Sequence, residues 1–108
     1  MKNTKIINGV EFETFKKEIV SANIIEVEVG TTGLLYNNAG KGSCTYFSIE
    51  DKACTNLKAN VETEDKVRYE FDEAHKVEII LERDTELETF VDALRFALEV
   101  LESKMKKQ

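Results

Sequence analysis

The stretch TELETFVDALRFALEVLESKM, Thr85 to Met105, decides the fold class. Leu87, Phe90, Val91, Leu94, Leu98, Leu101 and Met105 recur at spacings of three and four, so they fall on one stripe of an α-helix. Asp92, Arg95, Glu99 and Glu102 lie opposite, with Arg95 and Glu99 spaced as an i,i+4 pair. Thr85 and Glu88 have capping-box spacing, in which hydroxyl and carboxylate satisfy orphan N–H groups reciprocally. Glu86 and Glu88 sit near the positive end of the helix dipole, and Lys104, Lys106 and Lys107 near the negative end. The pattern predicts an amphipathic helix packed on a sheet.

Working back from the helix, three alternating runs read as strands. Leu57, Ala59 and Val61 alternate with Lys58, Asn60 and Glu62; Val67, Tyr69 and Phe71 with Lys66, Arg68 and Glu70; Val77, Ile79 and Leu81 with Glu78, Ile80 and Glu82. Polar turns at 63–65 and 72–75 separate them, which predicts an antiparallel meander with one apolar and one wet face. Thr45 to Ile49 is β-branched and aromatic, hence a strand. Ile25, Val27 and Val29 alternate with Glu26 and Glu28, hence a half-buried strand. Asn8-Gly9 between two apolar runs is a two-residue hairpin signal, because a type I′ turn needs positive φ twice. Phe12, Phe15, Ile19 and Ala22 recur at helical spacing and predict a short N-terminal helix over 13–22.

The fold expected is therefore α+β: an antiparallel meander against a long C-terminal helix, with a short N-terminal helix. The 108 residues suit one domain spanning 1–108. Hydrophobic residues make up 42%, enough for a packed interior. No apolar run can span a bilayer and no secretory pattern opens the chain, so a cytoplasmic protein is expected.

The formal charge is −6, and it is unevenly placed. Residues 62–102 hold 14 acids against 5 bases, a net of −9, whereas residues 30–49 hold no acid and one base, Lys41. The acids either decorate solvated faces or form a negative surface suited to a protein with a basic surface. In either case they repel phosphates, so direct nucleic-acid binding is not expected. Glu88, Asp92, Glu99 and Glu102 form the acidic face of the last helix. Ala93, Phe96 and Val100 widen its apolar arc to about 220°, more than a one-sided helix needs. Another element covers that shoulder, or it is a partner or homodimer interface centred on Phe96.

The Gly-rich stretch from Gly30 to Ser43 is either a connection between strands or a ligand loop. Its glycines let backbone N–H groups approach an anion. Thr31, Thr32, Asn37, Asn38, Lys41, Ser43 and, beyond the loop, Tyr46 are the candidate contacts for a phosphorylated ligand or cyclic nucleotide. Gly40-Lys41-Gly42-Ser43 is not a Walker A motif, which needs Lys directly before Ser or Thr. Cys44, Cys54 and His75 lack metal-site spacing, and neither cysteine has an activating context, so no metal and no cofactor are expected; the cysteines are two reduced thiols, or a disulfide if their strands are neighbours. No nucleophile elbow or zinc motif occurs, and the chain reads as non-enzymatic.

The runs Val27-Glu28-Val29-Gly30-Thr31-Thr32-Gly33, Thr45-Tyr46-Phe47-Ser48-Ile49-Glu50-Asp51 and Glu86-Leu87-Glu88-Thr89-Phe90-Val91-Asp92-Ala93-Leu94 resemble segments of small uncharacterised proteins of phages and mobile elements in low-GC Gram-positive bacteria. In those proteins the loop is richer in Gly and carries an Asp and a His, where this chain has Asn37-Asn38-Ala39-Gly40-Lys41-Gly42. Proteins of that type include anti-CRISPR inhibitors and sponges for nucleotide immune signals. The resemblance thus implies an inhibitor that blocks the basic nucleic-acid-binding surface of a host defence nuclease. A module that sequesters a nucleotide signal is the alternative. It assigns no residue roles.

Overall fold

The computed structural model describes residues 2–7, 9–32, 44–82 and 86–105. Strands β1 (Lys2–Ile7), β2 (Val10–Val20), β3 (Ile24–Thr31) and β4 (Thr45–Ala53) follow one another as an antiparallel meander. A short hairpin, β5 (Ala59–Glu62) and β6 (Arg68–Phe71), forms its own two-stranded sheet. The chain then returns as β7 (Lys76–Leu81) and ends the described part with helix α1 (Glu86–Met105). The main sheet has the order β1-β2-β3-β4-β7. The protein is thus α+β, an antiparallel sheet with a C-terminal helix.

Local chemistry explains the joints. Ile7 pairs with Val10, and Gly9 between them has φ 82°, the left-handed value a two-residue hairpin turn requires. Where the chain leaves the main sheet after β4, Cys54 and Asn56 adopt φ 62° and 60°. The Ala74 amide donates to the Leu57 carbonyl at 2.9 Å and closes the base of the β5–β6 excursion.

Two expectations are corrected. Residues 13–22 do not form a helix; they belong largely to β2, which pairs with β1 on one side and β3 on the other. The apolar spacing fits a helix, but as a strand the chain satisfies its backbone through two overlapping ladders, with β1 up to Phe15 and with β3 from Thr14 to Val20. Thr14, Ile19 and Val20 are β-branched, which suits that setting. The predicted three-run meander is also divided. β5 and β6 pair with each other, while β7 crosses to pair with β4, Thr45 opposite Leu81 and Ile49 opposite Val77.

The registers sort the main sheet into two faces. Phe15, Ile19, Ile25, Val27, Val29, Phe47, Ile49, Val77 and Ile79 share one. On it lies the first part of α1, where Phe90 meets Phe47 edge-on at 5.8 Å and 69°. Thr14, Glu28, Gly30, Tyr46, Ser48 and Glu78 lie on the other. Gly30 sits where only glycine fits, because a Cβ there would fall on the Glu13 carbonyl oxygen and 2.8 Å from the Thr14 Cγ2. Among the described residues, no helix is long and apolar enough to cross a membrane.

Candidate interaction surface

The sheet face away from α1 is polar, yet its centre is buried. Thr14 and Tyr46 are 0% exposed, Ser48 1% and Glu28 2%. Their positions follow from the register: Gly30 stands between Thr14 and Tyr46, and Glu28 between Lys16 and Ser48. The Thr14 hydroxyl donates to Glu28 Oε2 at 2.5 Å, and the Lys5 ammonium lies 3.6 Å from Glu28 Oε1. The same ammonium stands 4.8 Å above the Tyr46 ring, a cation–π contact. The Tyr46 hydroxyl donates to Glu78 Oε2 at 2.5 Å.

Burial pushes the Tyr46 hydroxyl up to about 12, and its bond to the Glu78 carboxylate adds to that. It is a neutral donor at physiological pH. Burial also raises the Cys44 thiol, helped by the Glu82 charge, so this thiol stays protonated and unreactive. No buried side-chain nitrogen or oxygen among the described residues lacks a partner. The network is closed, and its chemistry is cohesion: it fixes strand register by penalising any slip that separates Glu28 from Thr14 and Lys5. Among the described residues, no group of three His, Cys, Asp or Glu side chains could hold a metal ion.

The opposite face is apolar and incompletely covered. Phe15 is 52% exposed and Ile19 50%. A groove of about 300 Å³ runs between sheet and helix, lined by Phe15, Val29, Leu87, Phe90, Val91 and Leu94 among others. Beyond it the helix stripe becomes progressively barer, from Leu94 at 40% through Leu98 at 55% to Leu101 at 63%. The β5–β6 hairpin adds a second apolar surface, since the register puts Val61, Tyr69 and Phe71 on one side and all are exposed. A lone hairpin is marginal in water, so these exposed aromatics suit contact with another molecule.

The predicted residues fall as follows. The Thr31 and Thr45 hydroxyls bond at 2.9 Å, and both residues are on the helix side of the sheet. Thr32 ties the strand ends: its amide donates to the Cys44 carbonyl at 2.9 Å, and its hydroxyl accepts from the Cys44 amide at 2.8 Å. Tyr46 belongs to the opposite face, so Thr31 and Tyr46 are not brought together. Asn37, Asn38, Lys41 and Ser43, like the Thr85 cap, lie outside the described residues. Ala93, Phe96 and Val100 are all exposed on α1, as are Glu88, Asp92, Glu99 and Glu102. Arg95 bonds Asp92 at 3.2 Å. Cys44 and Cys54 are free thiols, the first buried and the second exposed. The residues that the sequence did not single out are Lys5, Thr14, Glu28 and Glu78. Glu28 alternates with valines, as a solvent-facing residue does, and its burial depends on strands far away in the chain.

No family model matches the chain, and neither a curated protein nor a solved structure shows significant similarity to it.

Proposed function

We propose that this protein is a non-enzymatic inhibitor of phage type, acting in the host cytoplasm by binding a defence nuclease on its basic nucleic-acid-binding surface. The blocking action is that of an anti-CRISPR protein. One observation carries the reading: every acid between residues 62 and 102 whose exposure is described is exposed. Those acids lie on the outer side of α1, on β7 and around the β5–β6 hairpin. Concentrated negative charge of this kind imitates a nucleic-acid backbone to a basic groove and accelerates encounter with it. The exposed Tyr69 and Phe71 supply apolar contact beside the charge.

The test is retention of nucleic-acid-guided nucleases from a Gram-positive host on the immobilised protein, followed by competition with guide or target nucleic acid. Expected is a retained basic nuclease that nucleic acid displaces, with binding weakened by salt and by Glu99→Lys together with Asp92→Lys. Retention that ignores salt and competitor would overturn the reading. Stabilisation by a cyclic nucleotide that Lys41→Ala abolishes, with no nuclease retained, would replace it with nucleotide sequestration.

A further inference from the structure

The chain as a whole leaves more surface bare than a compact monomer of its size does. A folded chain of 12.3 kDa exposes about 6,100 Å², and this one exposes 8350 Å². Its radius of gyration is 15.7 Å, against about 13 Å for a compact chain of this length. The excess of about 2,200 Å² is well above the roughly 800 Å² that each partner contributes to a stable interface. Part of it lies on the later turns of α1, where the stripe that starts against the sheet continues past it as Leu98 and Leu101.

The spacing of that stripe is specific. Leu87, Val91, Leu94, Leu98, Leu101 and Met105 alternate steps of four and three, which is the a/d seam of a two-stranded coiled coil. In that frame Val91, Leu98 and Met105 are a positions, and Leu94 and Leu101 are d positions. The flanking e positions are Glu88, Arg95 and Glu102. Phe96 takes an f position, pointing away from the seam.

We propose that α1 pairs antiparallel with α1 of a second copy through this seam, with Leu98 of each chain packed against Leu101 of the other. Flanking charge selects the arrangement. In this register Arg95 lies opposite Glu102 of the second copy, and the two-fold axis makes the pair twice. Sliding by one heptad to overlap the whole helices sets Arg95 against Arg95 and Glu88 against Glu102. Sliding the other way sets Glu102 against Glu102. A parallel pair brings no opposite charges together at its e and g positions, and it places both sheets on the same end. The antiparallel pair keeps the sheets at opposite ends, so the sheet-bound turns near Leu87 and Phe90 stay as they are.

The experiment is sedimentation velocity on the full chain over a dilution series. The native protein is expected to sediment as a concentration-dependent dimer. Leu98→Glu with Leu101→Glu gives a monomer that keeps the native thermal transition of its sheet, since both residues are exposed in the single chain. Arg95→Glu weakens the dimer about tenfold through the two lost pairs. Adding Glu102→Arg restores it, which only the antiparallel register predicts. Phe96→Glu leaves it intact. A native chain that stays monomeric at every concentration would overturn the proposal. So would a dimer that survives the double leucine change, or a double charge reversal no tighter than Arg95→Glu alone.

Discussion

Replacing Gly30 by alanine is the most direct test of the sheet geometry. The added Cβ falls on the Glu13 carbonyl oxygen and 2.8 Å from the Thr14 Cγ2. Overpacking costs about 1–3 kcal/mol where side chains can yield. Here the obstacle is backbone of β2, which can move only by breaking ladder bonds on both of its edges. Moving it also pulls the Thr14 hydroxyl from Glu28, a bond buried at the centre of the polar face. The loss is therefore about 3 kcal/mol, or a fall in Tm of roughly 12–24 °C for a domain of this size. Gly9→Ala is the control. Gly9 has φ 82° but nothing within 4 Å of a Cβ, so alanine there costs only the left-handed backbone, about 1 kcal/mol. Thermal unfolding followed by circular dichroism, backed by urea midpoints at constant m, measures both. A Gly30→Ala protein as stable as Gly9→Ala would refute the close approach of β2 and β3.

Three further outcomes are expected. Glu28→Ala leaves the Lys5 ammonium and the Thr14 hydroxyl facing a buried void, and urea denaturation should show a loss of about 3 kcal/mol, with Glu28→Gln losing less because it can still accept from Thr14. Between its ordinary value of 10.0 and its folded value of about 12, an unfolded Tyr46 gives up its proton while the folded one keeps it. Its contribution to stability is thus complete below about pH 10 and declines as pH rises toward 12. Urea midpoints across that range should fall less steeply in Tyr46→Phe, and an unchanged slope would count against the buried hydroxyl. A thiol reagent should modify exposed Cys54 within the native protein but reach buried Cys44 only on unfolding; equal rates would contradict the burial.

The C-terminal helix was legible because its evidence is local. Seven apolar residues at helical spacing need no knowledge of the rest of the chain, and the helix spans Glu86–Met105 as its pattern predicts. The Asn8-Gly9 hairpin and the Ile25-Val27-Val29 strand were legible for the same reason, since turn chemistry and period-two alternation are written in adjacent residues. What lay beyond the sequence was which strands meet. Phe12, Phe15 and Ile19 share a face only on a helix, since in a strand Phe12 falls on the side opposite Phe15 and Ile19; the pairing with β1 and β3, which flank β2 on either side, overrode that spacing. β7 looks like the natural partner of β6, yet it pairs with β4, more than twenty residues earlier.

The same division applies to the surfaces. That α1 has a broad apolar stripe and an acidic outer side is fixed by residue order on a helix. How far the sheet covers that stripe depends on the length of the sheet beneath it, and cover is lost toward Leu101. Glu28 carries the clearest contrast. In sequence it is one of two acids alternating with valines. In the structure it is 2% exposed, and Thr14 and Lys5 converge on its carboxylate from two other strands. Sequence determined which residues alternate and therefore which share a face. Only the tertiary structure decided that the polar face closes over its own centre while the apolar face stays partly bare, because burial is set by neighbours across the ladder and not by neighbours along the chain.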